Sequence, residues 1–166
     1  MKDKKLLSDI KEYLKCYENQ VLEDWYELIR HISVSDTGEG IETCCDWIQK
    51  KMEEIGIQVT KYSVKPAPVL VGRFGNDPEK KTVLIYAHYD VKPAGERKLW
   101  HSDPFVPTVR DGKVYARGSA DNKSPLMAHL KALEYFIRRK MEVPVNVIFV
   151  FEGDEECGSR GLEEFL

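Results

Sequence analysis

Two apolar runs constrain this chain more than any other feature: "TVLIYAHYD" (82–90) and "VPVNVIFVFEG" (143–153). Each is nearly continuous in hydrophobic residues, the pattern of a strand covered on both faces. Between them, "SPLMAHLKALEYFIRR" (124–139) repeats Leu126, Leu130, Leu133 and Ile137 at helical spacing. Ser124 is placed to cap that helix and Pro125 to open it. Strand, helix and strand in this order form a crossover unit, which predicts two parallel strands in one sheet.

The rest of the chain supplies layers for that sheet. Helical periodicity is predicted over 3–18, 20–32 and 41–55, the last ended by Gly56. "IQVTKYSV" and "PVLVGRFG" read as further strands, and 91–120 as a long loop holding one short strand at "KVYA". Long loops inside compact domains usually carry function. The expected fold is α/β, with a mixed, partly parallel sheet flanked by helices. Residues 1–19 are expected to form an N-terminal helix, and 20–166 the N-terminal part of a larger domain. A net charge of −3 offers no footprint for nucleic acid, and no run is long enough to span a membrane. Cys16, Cys44, Cys45 and Cys157 form no C-x-x-C pair, which points to reduced thiols and a cytoplasmic protein.

In open α/β sheets, chemistry collects beyond the carboxyl ends of parallel strands. The first apolar run ends in His88 and Asp90, and the second in Asp154, Glu155 and Glu156. Asp121 sits just before the intervening helix. Imidazole with carboxylates suits zinc, with manganese or cobalt as alternatives. Each piece alone has a plainer reading: a structural histidine at a strand end, or a solvated acidic turn. "GSADNKS" (118–124) imitates a phosphate loop, yet it lacks the glycine before the lysine and would set Asp121 against the phosphates. His31, His101 and His129 are expected at the surface or the core edge.

Taken together, "HYDVKP", "DPFVPTVRDGKVYARGSADNKSP" and "FEGDEECGSRGLEEFL" closely resemble the carnosinase-like, or cytosolic non-specific dipeptidase-like, zinc metallopeptidases. These belong with the aminoacylase, acetylornithine deacetylase and carboxypeptidase G enzymes. The resemblance implies part of a three-layer catalytic domain, two Zn2+ ions, and hydrolysis of dipeptides or short peptides by a metal-activated water. It implies His88, Asp121 and Glu156 as metal ligands, with Asp121 bridging. It also implies Glu155 as general base and Asp90 as the acid that orients the imidazole, these two being the catalytic pair. The peptide bond after the bridging aspartate is often cis in this family.

The resemblance further implies an acidic ligand, a histidine and a lid and dimerisation domain, none of which occurs in 1–166. The chain is therefore expected to be a truncated portion that binds metal weakly or partially and has little activity alone. Two alternatives stand beside this: a non-catalytic relic or interaction module, self-associating through an exposed sheet edge, and an N-acyl amino acid deacylase.

Overall fold

The structure is a computed structural model that describes residues 2–166. Helix α1 (Lys2–Arg30) is followed by α2 (Ile41–Glu54), then by strands β1 (Gln58–Tyr62), β2 (Val69–Phe74) and β3 (Thr82–His88). A small hairpin, β4 (Thr108–Arg110) and β5 (Lys113–Tyr115), interrupts the long loop. Helix α3 (Lys123–Arg138), strand β6 (Asn146–Glu152) and helix α4 (Arg160–Phe165) complete the chain. The main sheet has the order β1-β2-β6-β3, with β3 and β6 parallel and the other pairs antiparallel. The mixed sheet and its α3 crossover match the expected class.

One sheet face builds the core. Leu70, Phe149, Phe151 and Ala87 meet Ile41, Cys44, Ile48 and Met52 of α2 and Leu126, Leu130 and Leu133 of α3. Gly72 lets α2 approach, since a Cβ there would lie 2.3 Å from the Met52 terminal methyl. The other face carries α4, whose Phe165 ring meets Tyr62 edge-on at 5.0 Å.

Several expectations change. The helices expected at 3–18 and 20–32 are one helix, so a division at residue 19 falls inside α1. The Glu18–Asn19–Gln20 stretch interrupts the apolar pattern but contains neither glycine nor proline to break the backbone. Helix α3 begins at Lys123 behind Asn122, and no side chain caps it, so Ser124 lies inside the first turn. "KVYA" pairs with "TVR" across Asp111–Gly112, both at positive φ, as a tight hairpin turn requires.

The largest correction concerns β3. Its run was expected to be covered on both faces, but Val83, Leu84 and Tyr86 are 43%, 63% and 44% exposed. β3 is an edge strand, so its first five residues lack a neighbour on one side and a helix over the α4 face.

Helix α1 is fastened to α2 and α3 by charge. Asp24 accepts hydrogen bonds from Lys51 (3.2 Å) and Lys131, and Lys131 also binds Glu134 at 2.6 Å. Burial acts to raise the Asp24 pKa, but the two lysines outweigh it and hold the carboxyl below the ordinary aspartate value. A depressed folded-state pKa gives stability that is complete above about pH 4 and is lost as pH falls through the folded value. Asp24→Asn is therefore expected to cost about 1–3 kcal/mol at pH 7, a gap that narrows toward pH 3. Urea unfolding at the two pH values measures it, and an equal gap at both would contradict the assignment.

Candidate metal centre

The site forms where β3 and β6 end in register, His88 opposite Glu152. β6 leaves the sheet through Gly153, which lies directly on the buried Tyr89 ring. Asp154 follows, 2% exposed, with its carboxylate taken by Arg160 through Nε (2.9 Å), Nη2 (2.7 Å) and the backbone N–H (3.0 Å). Asp154 is thus committed to anchoring the turn. A single 3₁₀ turn, Glu155–Cys157, comes next. Adjacent residues diverge less in such a turn than in a strand, where they point to opposite faces. This turn bends the chain away from the direction of β6 after Gly153.

Asp90 joins the two strand exits. It is fully buried, and its two carboxylate oxygens accept the backbone N–H groups of Glu155 (3.2 Å) and Glu156 (3.1 Å). Its Oδ1 also lies 3.3 Å from His88 Nδ1, which has the Asp90 carbonyl at 3.2 Å. One side chain therefore sets the imidazole and the glutamate turn together.

On its other side, His88 Nε2 is 3.1 Å from Asp121 Oδ1 and 3.6 Å from Glu155 Oε2. The His88 side chain is 5% exposed, whereas that of Asp121 is 76% exposed. Burial acts to lower the His88 pKa, but the hydrogen bond and charge of Asp90, with Glu155 and Asp121, push it up to about 9. For Glu156, burial comes first, then the negative charges of Asp121, Asp90 and Glu155, and together they raise its carboxyl against the pull of His88. The Asp121–Asn122 peptide is cis, as the resemblance implied.

The five residues singled out from the sequence thus gather at one sheet edge. His88 is in polar contact with each of Asp90, Asp121 and Glu155, and Glu156 feels the others electrostatically. Among the described residues, no three His, Cys, Asp or Glu side chains are drawn together closely enough to hold a metal ion. The donor types nevertheless fit one: an imidazole nitrogen between two carboxylates, with its other nitrogen on a buried acid, is the pattern of a divalent-metal ligand with its supporting shell.

The sequence reading missed two lysines that frame the site. Lys92 donates to the Glu156 carbonyl and lies 3.4 Å from Asp36, holding the glutamate turn from outside. Lys123 is buried beneath the Asp121 turn. Lys123 stands in the first turn of α3 and Lys92 in the loop after β3, and a lysine in either place reads as surface from sequence alone.

The profile "Peptidase family M20/M25/M40" matches residues 84–166. The chain belongs to this family. It is 43% identical over 120 residues to the Cys-Gly metallodipeptidase dug1 of Schizosaccharomyces pombe, which covers 70% of this chain and 25% of that protein. It is 46% identical over 99 residues to the Beta-Ala-His dipeptidase of Homo sapiens, covering 60% of this chain and 20% of that one. The solved structure of human carnosine dipeptidase 1 superposes with a TM-score of 0.90 at 31% identity, covering 96% of this chain and 37% of that one. The chain thus matches between a fifth and a quarter of the length of these two curated relatives. Family membership carries the coarse expectation of a divalent metal with it. Among the described residues, no helix is long and apolar enough to cross a membrane.

Proposed function

We propose that this chain supplies part of a dinuclear zinc site that hydrolyses dipeptides. The carrying observation is His88 Nε2 flanked by the Asp121 and Glu155 carboxylates, with Asp90 behind it. His88, Asp121 and Glu156 would hold the metal, zinc best fitting the mixed nitrogen and oxygen donors and manganese or cobalt being alternatives. When bound, the metal supplies a Lewis acid and brings the pKa of a water down toward neutrality.

The chain's own residues supply the rest. Glu155 is half exposed and uncommitted to backbone, so its Oε2 is free to accept a proton from an attacking water and return it to the leaving amine. Asp90 touches no substrate. It positions, fixing the His88 ring through Nδ1 and the Glu155–Glu156 backbone through its two oxygens. The names of the relatives favour dipeptides, and a deacylase acting on N-acyl amino acids uses the same chemistry. The four unpaired cysteines accord with a cytoplasmic setting. Residues 20–166 are proposed as the N-terminal part of the zinc-peptidase catalytic domain, with the helix expected over 1–19 continuing into it as α1.

A second reading rests on β3. Its unpaired edge, with Val83, Leu84 and Tyr86 exposed, suits pairing with β3 of a second copy. One set of measurements separates the readings. The purified chain is dialysed against zinc, its metal content and Cys-Gly and β-Ala-His hydrolysis are measured, and its mass is followed by sedimentation. Fewer than about two zinc ions per chain are expected from the three protein ligands His88, Asp121 and Glu156, with little hydrolysis and with bound zinc lost in His88→Ala. Zinc uptake indifferent to His88→Ala would sink the metal reading. A concentration-dependent dimer abolished by Leu84→Lys supports edge pairing, and a monomer at all concentrations removes it.

A further inference from the structure

Helix α3 opens with a lysine that never reaches solvent. Lys123 is 0% exposed, and its Nζ donates to the carbonyls of Leu28 (3.1 Å) and His31 (2.5 Å). Leu28 lies in the last turn of α1 and His31 directly after it, where the last four carbonyls of a helix have no partner within the helix. The amine thus completes the C-terminus of one helix from the first turn of another. Room for its stem comes from Gly118, at φ +80°, where a Cβ would lie 3.2 Å from Lys123 Cδ and 2.8 Å from Val91 Cγ1. The Lys123 N–H in turn donates to the Gly118 carbonyl at 3.3 Å.

The same end of α1 leads into the segment that grips the other arm of the site. Ser33 Oγ donates to the Tyr89 carbonyl (2.7 Å), and the Val91 N–H donates to the Ser33 carbonyl (2.8 Å). His88 and Asp121, 33 residues apart, are therefore both referenced to one structural post. The strand exit is held through Ser33, and the Asp121 turn through Lys123.

We propose that Lys123 is a positioning residue for Asp121, setting its distance from His88 by tying the first turn of α3 to the C-terminus of α1. Any consequence for metal rests on the function proposed above, while the tie itself does not. A buried apolar side chain of similar size would fill the space, but it would leave the Leu28 and His31 carbonyls without their donor.

The test uses the chain with Lys123→Met, and with Met127→Ala as a core variant of the same helix. Hydrogen exchange is followed at the amides of 119–126 and 28–34, and zinc affinity by dye competition. Lys123→Met is expected to speed exchange in both segments about tenfold relative to Met127→Ala at matched stability. It is also expected to weaken zinc binding about tenfold or more. Lys123→Gln, which keeps a donor on a shorter stem, should give intermediate values and serves if Lys123→Met does not fold. Exchange in 119–126 no faster than in Met127→Ala would overturn the proposal. A wild-type chain that takes up no zinc at His88 would defeat the metal reading and leave the exchange result to decide on Lys123.

Discussion

Asp90→Ala is expected to loosen the histidine and the glutamate turn in a single step. The substitution leaves the Glu155 and Glu156 N–H groups without their acceptor and takes the carboxylate from His88 Nδ1, which keeps only the backbone carbonyl of residue 90. Buried donors that lose an ionised partner cost about 1–3 kcal/mol each, so a total near 2–4 kcal/mol is expected in urea unfolding. Zinc binding should weaken by about 10–100-fold, the usual effect of removing the group that orients a ligating histidine. Asp90→Asn is the sharper comparison. Its amide keeps one carboxylate-like oxygen and replaces the other acceptor with a donor, so one of the two N–H bonds survives. An Asp90→Ala chain that unfolds like the parent would show that the turn is held by Arg160 and Lys92 alone.

Gly153→Ala should be comparably damaging for a steric reason. A methyl group there would lie 2.5 Å from the Tyr89 Cζ and hydroxyl and 2.6 Å from Cε2. The ring has no retreat, being fully buried with its hydroxyl donating to the Pro68 carbonyl at 2.7 Å. Overpacking of this kind costs about 1–3 kcal/mol, and here the strain falls on the link between β6 and Glu155. Combining it with Tyr89→Leu should recover part of the loss, giving less than the sum of the two single effects. Simple additivity in denaturant unfolding would mean that the clash is relieved elsewhere.

Both residues show where sequence is informative and where it stops. The parallel pair and the α3 crossover were legible because apolar runs and a helical stripe state which surfaces seek burial. The same runs do not state whether anything covers them, so β3 read as fully enclosed although Leu84 is 63% exposed. His88, Asp121 and the glutamates could be placed at one edge because topology brings strand ends together. The clamp of Asp90 on two backbone N–H groups could not, since every residue carries that donor and only geometry selects which are caught. Lys123 was hidden for the opposite reason: its charge points to the surface, while its long stem and the space at Gly118 carry it inside. The β4–β5 hairpin was half seen, though Asp111–Gly112 flanked by Thr-Val-Arg and Lys-Val-Tyr held enough to find both strands.

The post at the end of α1 also bears on chain entropy. Because Ser33 holds the residues after His88 and Lys123 holds those after Asp121, the intervening loop is closed by contacts outside itself. Its closure cost grows only with the logarithm of its length, so doubling it would add about 0.6 kcal/mol. That is small beside the loss of Asp90 or a methyl group on Gly153. The spacing of the two ligand-bearing turns and the length of what hangs between them are thermodynamically almost independent.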